Sequence, residues 1–249
     1  MVKDLDLVVA MPCFNEADGL AQTMDALISF LVTRNLRSIV VVQDDCSTDE
    51  SFSILKQLAL EVSLPIVTEQ NQVNLGHGPT SLRAYTRALE FESSHVLFLD
   101  SDGQYELSDL SKIIEIGLRS ELNVVLGVRS DRLDPLYRRL VTSALKIVIR
   151  LKFGTVAADP NTPIRLFSTK LLQDLLPKVP SQSLVPNIWL TISAKEGSHS
   201  VLEIPVRHRQ RAGLATTGTT WRTPTRSRFG PVRRFSKFAA LAARELITR

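Results

Sequence analysis

At 249 residues the chain can build one α/β domain or two small ones around a real core, and 44% hydrophobic with 22% charged residues excludes wholesale disorder. The formal charge of +4 is unevenly placed: from Val201 to Arg249 eleven Lys/Arg stand against Glu203 and Glu245. The rest is net negative, and the C-terminal fifth is expected to meet an anion, whether phosphate, nucleic acid or a membrane surface. Cys13 and Cys46 are the only cysteines and lack paired spacing, which argues against a disulfide framework and for a reducing compartment. Asp4 and Asp6 interrupt the start and Leu7–Met11 is too short for a signal peptide. Leu145–Leu151 comes nearest to a membrane span, but Lys146 and Arg150 break it, well short of the roughly 18 apolar residues required.

In chain order, Leu5–Met11 reads as a strand stopped by Pro12. A helix follows with Leu20, Met24, Leu27, Ile28 and Leu31 on one stripe. Ser38–Gln43 is a valine-rich strand ending in Asp44-Asp45-Cys46-Ser47, and Ser47 with Glu50 spells a capping box for a helix carrying Phe52, Leu55 and Leu58. Pro65–Glu69 is a third strand, and the loop Asn74–Pro79 opens a helix running to about Phe91. Val96-Leu97-Phe98-Leu99 is a short apolar run of the kind buried on both faces of a parallel sheet. A helix near Leu107–Leu118 and a strand over Asn123–Val128 complete an alternation that means βαβ units and a right-handed, mostly parallel sheet. Beyond residue 130 the period changes. Pro135–Lys152 is expected to be one long helix, Thr162–Ser168 a strand, Lys170–Leu176 and Val185–Glu196 helices, and Ser200–Val206 a strand. Residues 211–231, rich in Thr, Gly, Arg and Pro, read as a mobile loop or lid before a closing helix over Pro231–Ile247.

Chemistry gathers where strands end. Asp100 and Asp102 follow the apolar run with i, i+2 spacing, so both carboxylates can converge beyond the strand, on the rim where open α/β sheets bind ligands. Two hard oxygen donors suit Mg²⁺ or Mn²⁺ holding substrate phosphates. An acid at one strand end is ordinary turn chemistry. Acids at two, Asp44-Asp45 and Asp100-Ser101-Asp102, with Pro12-Cys13-Phe14-Asn15-Glu16 at a third, are not. These motifs resemble the inverting family 2 glycosyltransferases of GT-A fold, in the branch of dolichol-phosphate and polyprenyl-phosphate sugar synthases. The likeness extends through Gly103-Gln104, Asn74–Gly78, Gly127-Val128-Arg129, Asp159–Arg165 and Glu203–Gly213.

The resemblance implies a nucleotide-sugar donor bordered by Pro12, Phe14, Glu16, Asp44, Asp45, Gly76 and Asp100, with Asp45 accepting a hydrogen bond from the base. It implies Mg²⁺ or Mn²⁺ held by Asp100, Asp102 and Gln104, with Asp102 essential to catalysis. Phe14 replaces the family's Tyr and lacks its hydroxyl, and Cys46 stands where Gly, tolerant of positive φ, is usual.

The acceptor follows from what is missing. A sugar hydroxyl needs a carboxylate base, and relatives acting on one carry a Glu-Asp pair at a helix start in the second half. Leu184–Trp189 here has no acid. A phosphate monoester is already mostly ionised, with a second pKa of about 6, and needs cationic clamps, which arginine supplies through its bidentate fork. Arg129, Arg139 with Ser143 one turn on, and Arg211 match the acceptor-phosphate positions, with Arg138 and Arg209 nearby. The expected partners are therefore a nucleotide-sugar donor, a polyprenyl-phosphate acceptor in the membrane and a separate membrane protein, with no nucleic acid. The location is cytoplasmic, peripheral at the cytoplasmic membrane face. The domain reading is a GT-A unit over residues 1–215 and a basic loop with an amphipathic helix over 216–249, packed on the domain or on a membrane. Its face of Phe235, Phe238, Ala239, Ala242 and Leu246 opposes Arg233, Lys237 and Arg244.

Three rivals are weaker. A sugar-hydroxyl transferase would leave Asp159 as base, although Asp159 and Arg165 equally suggest an internal ion pair. A nucleic-acid binder built on residues 207–234 lacks the aromatic interleaving expected for base stacking. A nucleotidyltransferase should show a glycine-rich basic loop where Asn15-Glu16-Ala17-Asp18 stands. His77 and His95 read as packing or loop histidines, and His208 as structural or as a phosphate contact.

Overall fold

The computed structural model describes residues 4–130, 136–155, 157–209 and 230–248, and not the side chains of 136–142, 144 and 230–236. The elements run β1 (Leu5–Cys13), α1 (Ala17–Thr33), β2 (Ser38–Asp44), α2 (Ser51–Glu61), β3 (Ile66–Gln70), α3 (His77–Ala88), β4 (Ser93–Phe98), α4 (Leu107–Arg119) and β5 (Val124–Arg129). Then follow α5 (Leu136–Phe153), β6 (Arg165–Ser168), α6 (Thr169–Leu175), a 3₁₀ turn (Leu176–Lys178), α7 (Pro186–Glu196), β7 (Val201–Val206) and α8 (Gly230–Thr248). Residues 210–229, including Arg211 and most of the expected lid, lie outside the described residues.

The described strands form one sheet in the order β3-β2-β1-β4-β6-β5-β7. Every pairing is parallel except those of β6, which runs antiparallel to both β4 and β5. Because side chains alternate across a strand, the apolar runs feed two cores. Leu7, Val9 and Met11 of β1 join Leu97 and Leu99 against Leu20, Met24 and Leu27 of α1 and Leu110, Ile113 and Ile114 of α4. Val8 and Ala10 join Val96 and Phe98 against Tyr85 of α3, Leu172 of α6 and Ile188 of α7. The Tyr85 ring stacks on Phe98, with centroids 4.8 Å apart.

Two local expectations fail for identifiable reasons. Pro12 does not stop β1, which continues to Cys13. The Ala10 carbonyl accepts from Leu99 N–H at 3.1 Å, so at this end of β1 the even-numbered residues turn their backbone groups toward β4. The donor that Pro12 lacks would therefore point past Phe98, the last residue of β4. The Ser47–Glu50 capping box does not form either. Glu50 itself stands at the N-cap of α2 with no side-chain cap, and Ser47 donates to Asp44 Oδ1 at 2.5 Å while accepting from Asn15 N–H at 2.9 Å. Ser47 thus ties two rim loops together instead of starting a helix.

The described part of the expected apolar face of α8 is turned into the domain, and the side chain of Phe235 lies outside the described residues. Ala242 and Leu246 are fully buried in the same core as α7, Phe238 packs against it, and Lys152 Nζ donates to the carbonyls of Leu246 and Ile247, each at 2.8 Å. Lys237, Leu241, Arg244 and Ile247 face outward. Among the described residues no helix is long and apolar enough to cross a membrane.

Candidate active site

The carboxyl ends of β1, β2 and β4 meet on one rim, and their loops are laced to one another. Thr48 N–H donates to Asn15 Oδ1 at 2.8 Å, and the first amides of α1 are satisfied from the next loop, Glu16 N–H by Ser51 Oγ and Ala17 N–H by Asp49 Oδ2. Asn15 holds a φ of +52°, which asparagine tolerates better than most residues.

The paired acids of β2 have different tasks. Asp44 has no exposed surface and spends both oxygens on Ser47 and Gln70. Asp44, expected beside a nucleotide, thus has its carboxylate engaged within the rim itself. Asp45 is also buried, and it organises the loop opposite: its Oδ1 accepts from Leu75 N–H and Asn71 Nδ2, its Oδ2 from Gly76 N–H, all at 2.8 Å. Gly76 can serve there because it holds φ +87° and ψ 164°, a region essentially reserved for glycine.

Cys46, next in sequence, adopts φ +59°. The turn does require the left-handed backbone expected of glycine, and a cysteine bears the strain. Cys46→Gly is expected to raise stability by about 0.5–1 kcal/mol in chemical denaturation, since the cysteine side chain offers in return only a 3.8 Å sulfur hydrogen bond to the Gln72 carbonyl. A variant no more stable than the parent would show that the turn is not strained.

His77, read from sequence as a loop histidine, is the missed residue of the rim. Its Nε2 lies 3.0 Å from Asp100 Oδ1, so one turn connects the Asp45 network to the Asp-x-Asp pair. Partial desolvation opposes protonation of this half-exposed imidazole, but the charge of Asp100 and its hydrogen bond, with Asp102 and Asp45 beyond, outweigh it and raise the pKa. The signal lay in its position immediately after Asn74-Leu75-Gly76. The Asp102 carboxyl is pushed up to about 7, first by burial and then by the negative charge of Asp100, while the Gln104 N–H bond pulls the other way. A carboxylate whose charge is poorly compensated, next to a second carboxylate, is a donor set that a divalent cation fits. Among the described residues no cluster of three His, Cys, Asp or Glu side chains suits a metal; a Mg²⁺-type ion bound through one or two carboxylates and substrate phosphates needs none.

Gln104 is tied to the chain after β7: its Nε2 donates to the Arg209 carbonyl at 3.2 Å, and Tyr105 bridges His208. Arg209 in turn lies 3.4 Å from Glu106. Asp109 of α4 anchors this segment by accepting from Arg207 N–H at 2.9 Å. The Asp-x-Asp loop therefore lies directly beside the stretch that leads to Arg211.

Arg129 ends β5 and is held by Asp159, with contacts of 2.6 and 3.1 Å. The expected Asp159–Arg165 pair is thus replaced. Arg165, fully buried, donates to the carbonyls of Thr162, Asn187 and Pro160 and to Thr191 Oγ1, and burial pulls its pKa down to about 10. The stretch 184–189 leading into α7 has no acid, and Asn187 Oδ1 accepts from Tyr85 OH at 2.9 Å. Pro12 and Glu16 are buried and Phe14 half-buried at the rim. Ser143 is exposed on α5, and the side chain of Arg139 lies outside the described residues.

A mixed, mostly parallel sheet with a carboxylate-lined rim is the architecture of GT-A glycosyltransferases. Glucosyl-3-phosphoglycerate synthase from Mycobacterium tuberculosis, solved with Mn²⁺, UDP-glucose and phosphoglyceric acid, superposes with a TM-score of 0.66 at 19% identity, over 98% of this chain and 79% of that one. Residues 8–176 match the family model of glycosyl transferase family 2, and the chain belongs to that family. Relatives by sequence include the undecaprenyl-phosphate 4-deoxy-4-formamido-L-arabinose transferases of Edwardsiella ictaluri, 23% identical over 82% of this chain, and of Pectobacterium carotovorum, 23% identical over 85%. The chain spans 60% and 62% of the lengths of those two relatives.

Proposed function

We propose that this protein transfers a sugar, with inversion and with the help of a divalent cation, from a nucleotide-sugar donor to a polyprenyl phosphate at the cytoplasmic face of a membrane. The observation that carries the reading is the contrast between two ends of the site. The donor end gathers Asp45, Asp100 and Asp102 around the His77 loop. At the acceptor end the possible bases are missing or engaged: the stretch 184–189 carries no acid, Asn187 is held by Tyr85, and Asp159 is paired with Arg129. An acceptor that arrives as an anion needs no proton removed.

Pro12, Phe14, Glu16 and the loop ordered by Asp45 and Gly76 would border the nucleotide. Asp100 and Asp102, with Gln104 alongside, would hold Mg²⁺ or Mn²⁺, which when bound supplies Lewis-acid compensation for the charge on the departing diphosphate. Mn²⁺ in the glucosyl-3-phosphoglycerate synthase complex supports that assignment. Arg129, oriented by Asp159, would receive the acceptor phosphate together with Arg139, Ser143 and Arg211, bringing its oxygen to the anomeric carbon. The names of the sequence relatives support a lipid-phosphate acceptor. So does the outer surface of α5 and α8, where Ile147, Leu151, Leu241 and Ile247 are exposed among Arg150, Lys237 and Arg244, a mixture suited to an anionic membrane surface.

The test is a radiolabelled-donor assay with undecaprenyl phosphate in detergent, run over a panel of nucleotide sugars with Mn²⁺. Label that moves into the organic phase supports the proposal. Label transferred only to water-soluble glycans would instead identify a sugar-hydroxyl transferase.

A further inference from the structure

The rim loop between β3 and α3 must present two N–H groups to Asp45 and an imidazole to Asp100, so its height above the sheet matters. What it rests on is backbone. A Cβ built on Gly78 would lie 2.3 Å from the Ser183 carbonyl oxygen and 2.7 Å from Leu184 C and O, so this turn of α3 is seated directly on the Ser183–Leu184 segment before α7. That segment is fixed by one side chain from the far end of the chain. Glu245 of α8 accepts from Ser183 Oγ, from Leu184 N–H at 2.9 Å and from Trp189 Nε1 at 2.8 Å. Ser183 is 1% exposed, and its hydroxyl oxygen in turn accepts from Val185 N–H at 3.1 Å. A carboxylate at this helix start also complements the positive N-terminal end of the dipole of α7, which has no side-chain cap of its own.

We propose that Glu245 is a positioning residue of the donor site. Through Ser183, Leu184 and Gly78 it sets the height of the 74–78 loop, and so the fit of Leu75 and Gly76 to Asp45 and of His77 to Asp100. The C-terminal helix, which carries none of the family motifs, is then the strut behind the nucleotide. This rests on the reading of that loop as donor-binding.

The test compares Glu245→Ala and Glu245→Gln with Leu246→Ala in the full-length chain. Leu246 is the neighbouring residue, fully buried, and its substitution loosens α8 while leaving in place the Glu245 carboxylate that bonds Ser183 and Leu184. Hydrogen exchange at the Leu75 and Gly76 amides should be about ten-fold faster in Glu245→Ala than in Leu246→Ala, the factor carried by a lost charge-assisted hydrogen bond. Glu245→Gln, which keeps the shape and part of the acceptor set, should fall between. Uridine diphosphate with Mn²⁺, or whichever nucleoside diphosphate the parent binds, should show the same ranking in Kd. Equal exchange in the alanine variants overturns the proposal, as does faster exchange with unchanged Kd. Should the parent bind no nucleoside diphosphate at all, the donor reading fails, and with it the role given to Glu245, while the exchange ranking still reports whether that carboxylate orders the loop.

Discussion

Asp102→Asn is expected to lower sugar transfer by on the order of 10²–10³-fold, without unfolding the protein. The substitution keeps the shape and the oxygen that accepts from Gln104 N–H at 3.1 Å, and it removes the charge. In the metal-free protein that charge is a liability, because Asp102 sits beside Asp100 and its ionised form is disfavoured by burial and by that neighbour. The variant should therefore melt no lower than the parent in the absence of metal. Its requirement for Mn²⁺ should rise steeply, since one of the two carboxylates proposed to hold the cation is gone. A variant turning over at the parental rate, or one whose loss of activity tracks a loss of folded protein, would remove Asp102 from the catalytic role.

Gly78→Ala sets two physical effects against each other. Gly78 lies in the first turn of α3, where helix propensity alone makes alanine more favourable by about 1 kcal/mol. Contact with Ser183 and Leu184 opposes this. The atoms that the new methyl would meet at 2.3–2.7 Å are backbone, not the free end of a side chain, and overpacking of this kind costs about 1–3 kcal/mol or more. We expect the steric clash to win, with a net loss of about 2 kcal/mol in urea denaturation and weaker nucleotide binding as the loop lifts. An increase in stability would mean that α3 and the α7 approach are not in contact and would weaken the case for Glu245 as well.

Much of the fold was legible because its signals are local. Apolar runs over Val8–Met11, Ile39–Val42 and Val96–Leu99 could belong only to strands covered on both faces, and the two cores bear that out. The stripe of Leu20, Met24, Leu27, Ile28 and Leu31 is the buried face of α1. That the turn at Cys46 keeps a positive φ came from the structure, since sequence showed only a cysteine where the resemblance expects glycine. The polar misreadings share one cause: a polar side chain has several partners within reach, and sequence shows only those nearby along the chain. Ser47 looked like a helix cap because Glu50 follows it, but its hydroxyl found Asp44 and its oxygen found Asn15, 32 residues away. Arg165 looked like the partner of Asp159, and Arg129 took that carboxylate from the adjacent strand β5.

Strand periodicity is a property of neighbouring residues, and it was enough to establish the alternating architecture and which acids stand at the ends of strands, while the family came from the likeness of the motifs there to known ones. What those acids do emerged from the folded arrangement. It separated Asp44, sealed among its own hydrogen bonds, from Asp45, which orders a loop 30 residues away. It brought His77 to Asp100, and it set Glu245 behind the start of α7. The physical reason is that a buried carboxylate must be satisfied by whatever donors the fold carries to it, and chain separation places no limit on which donors those are.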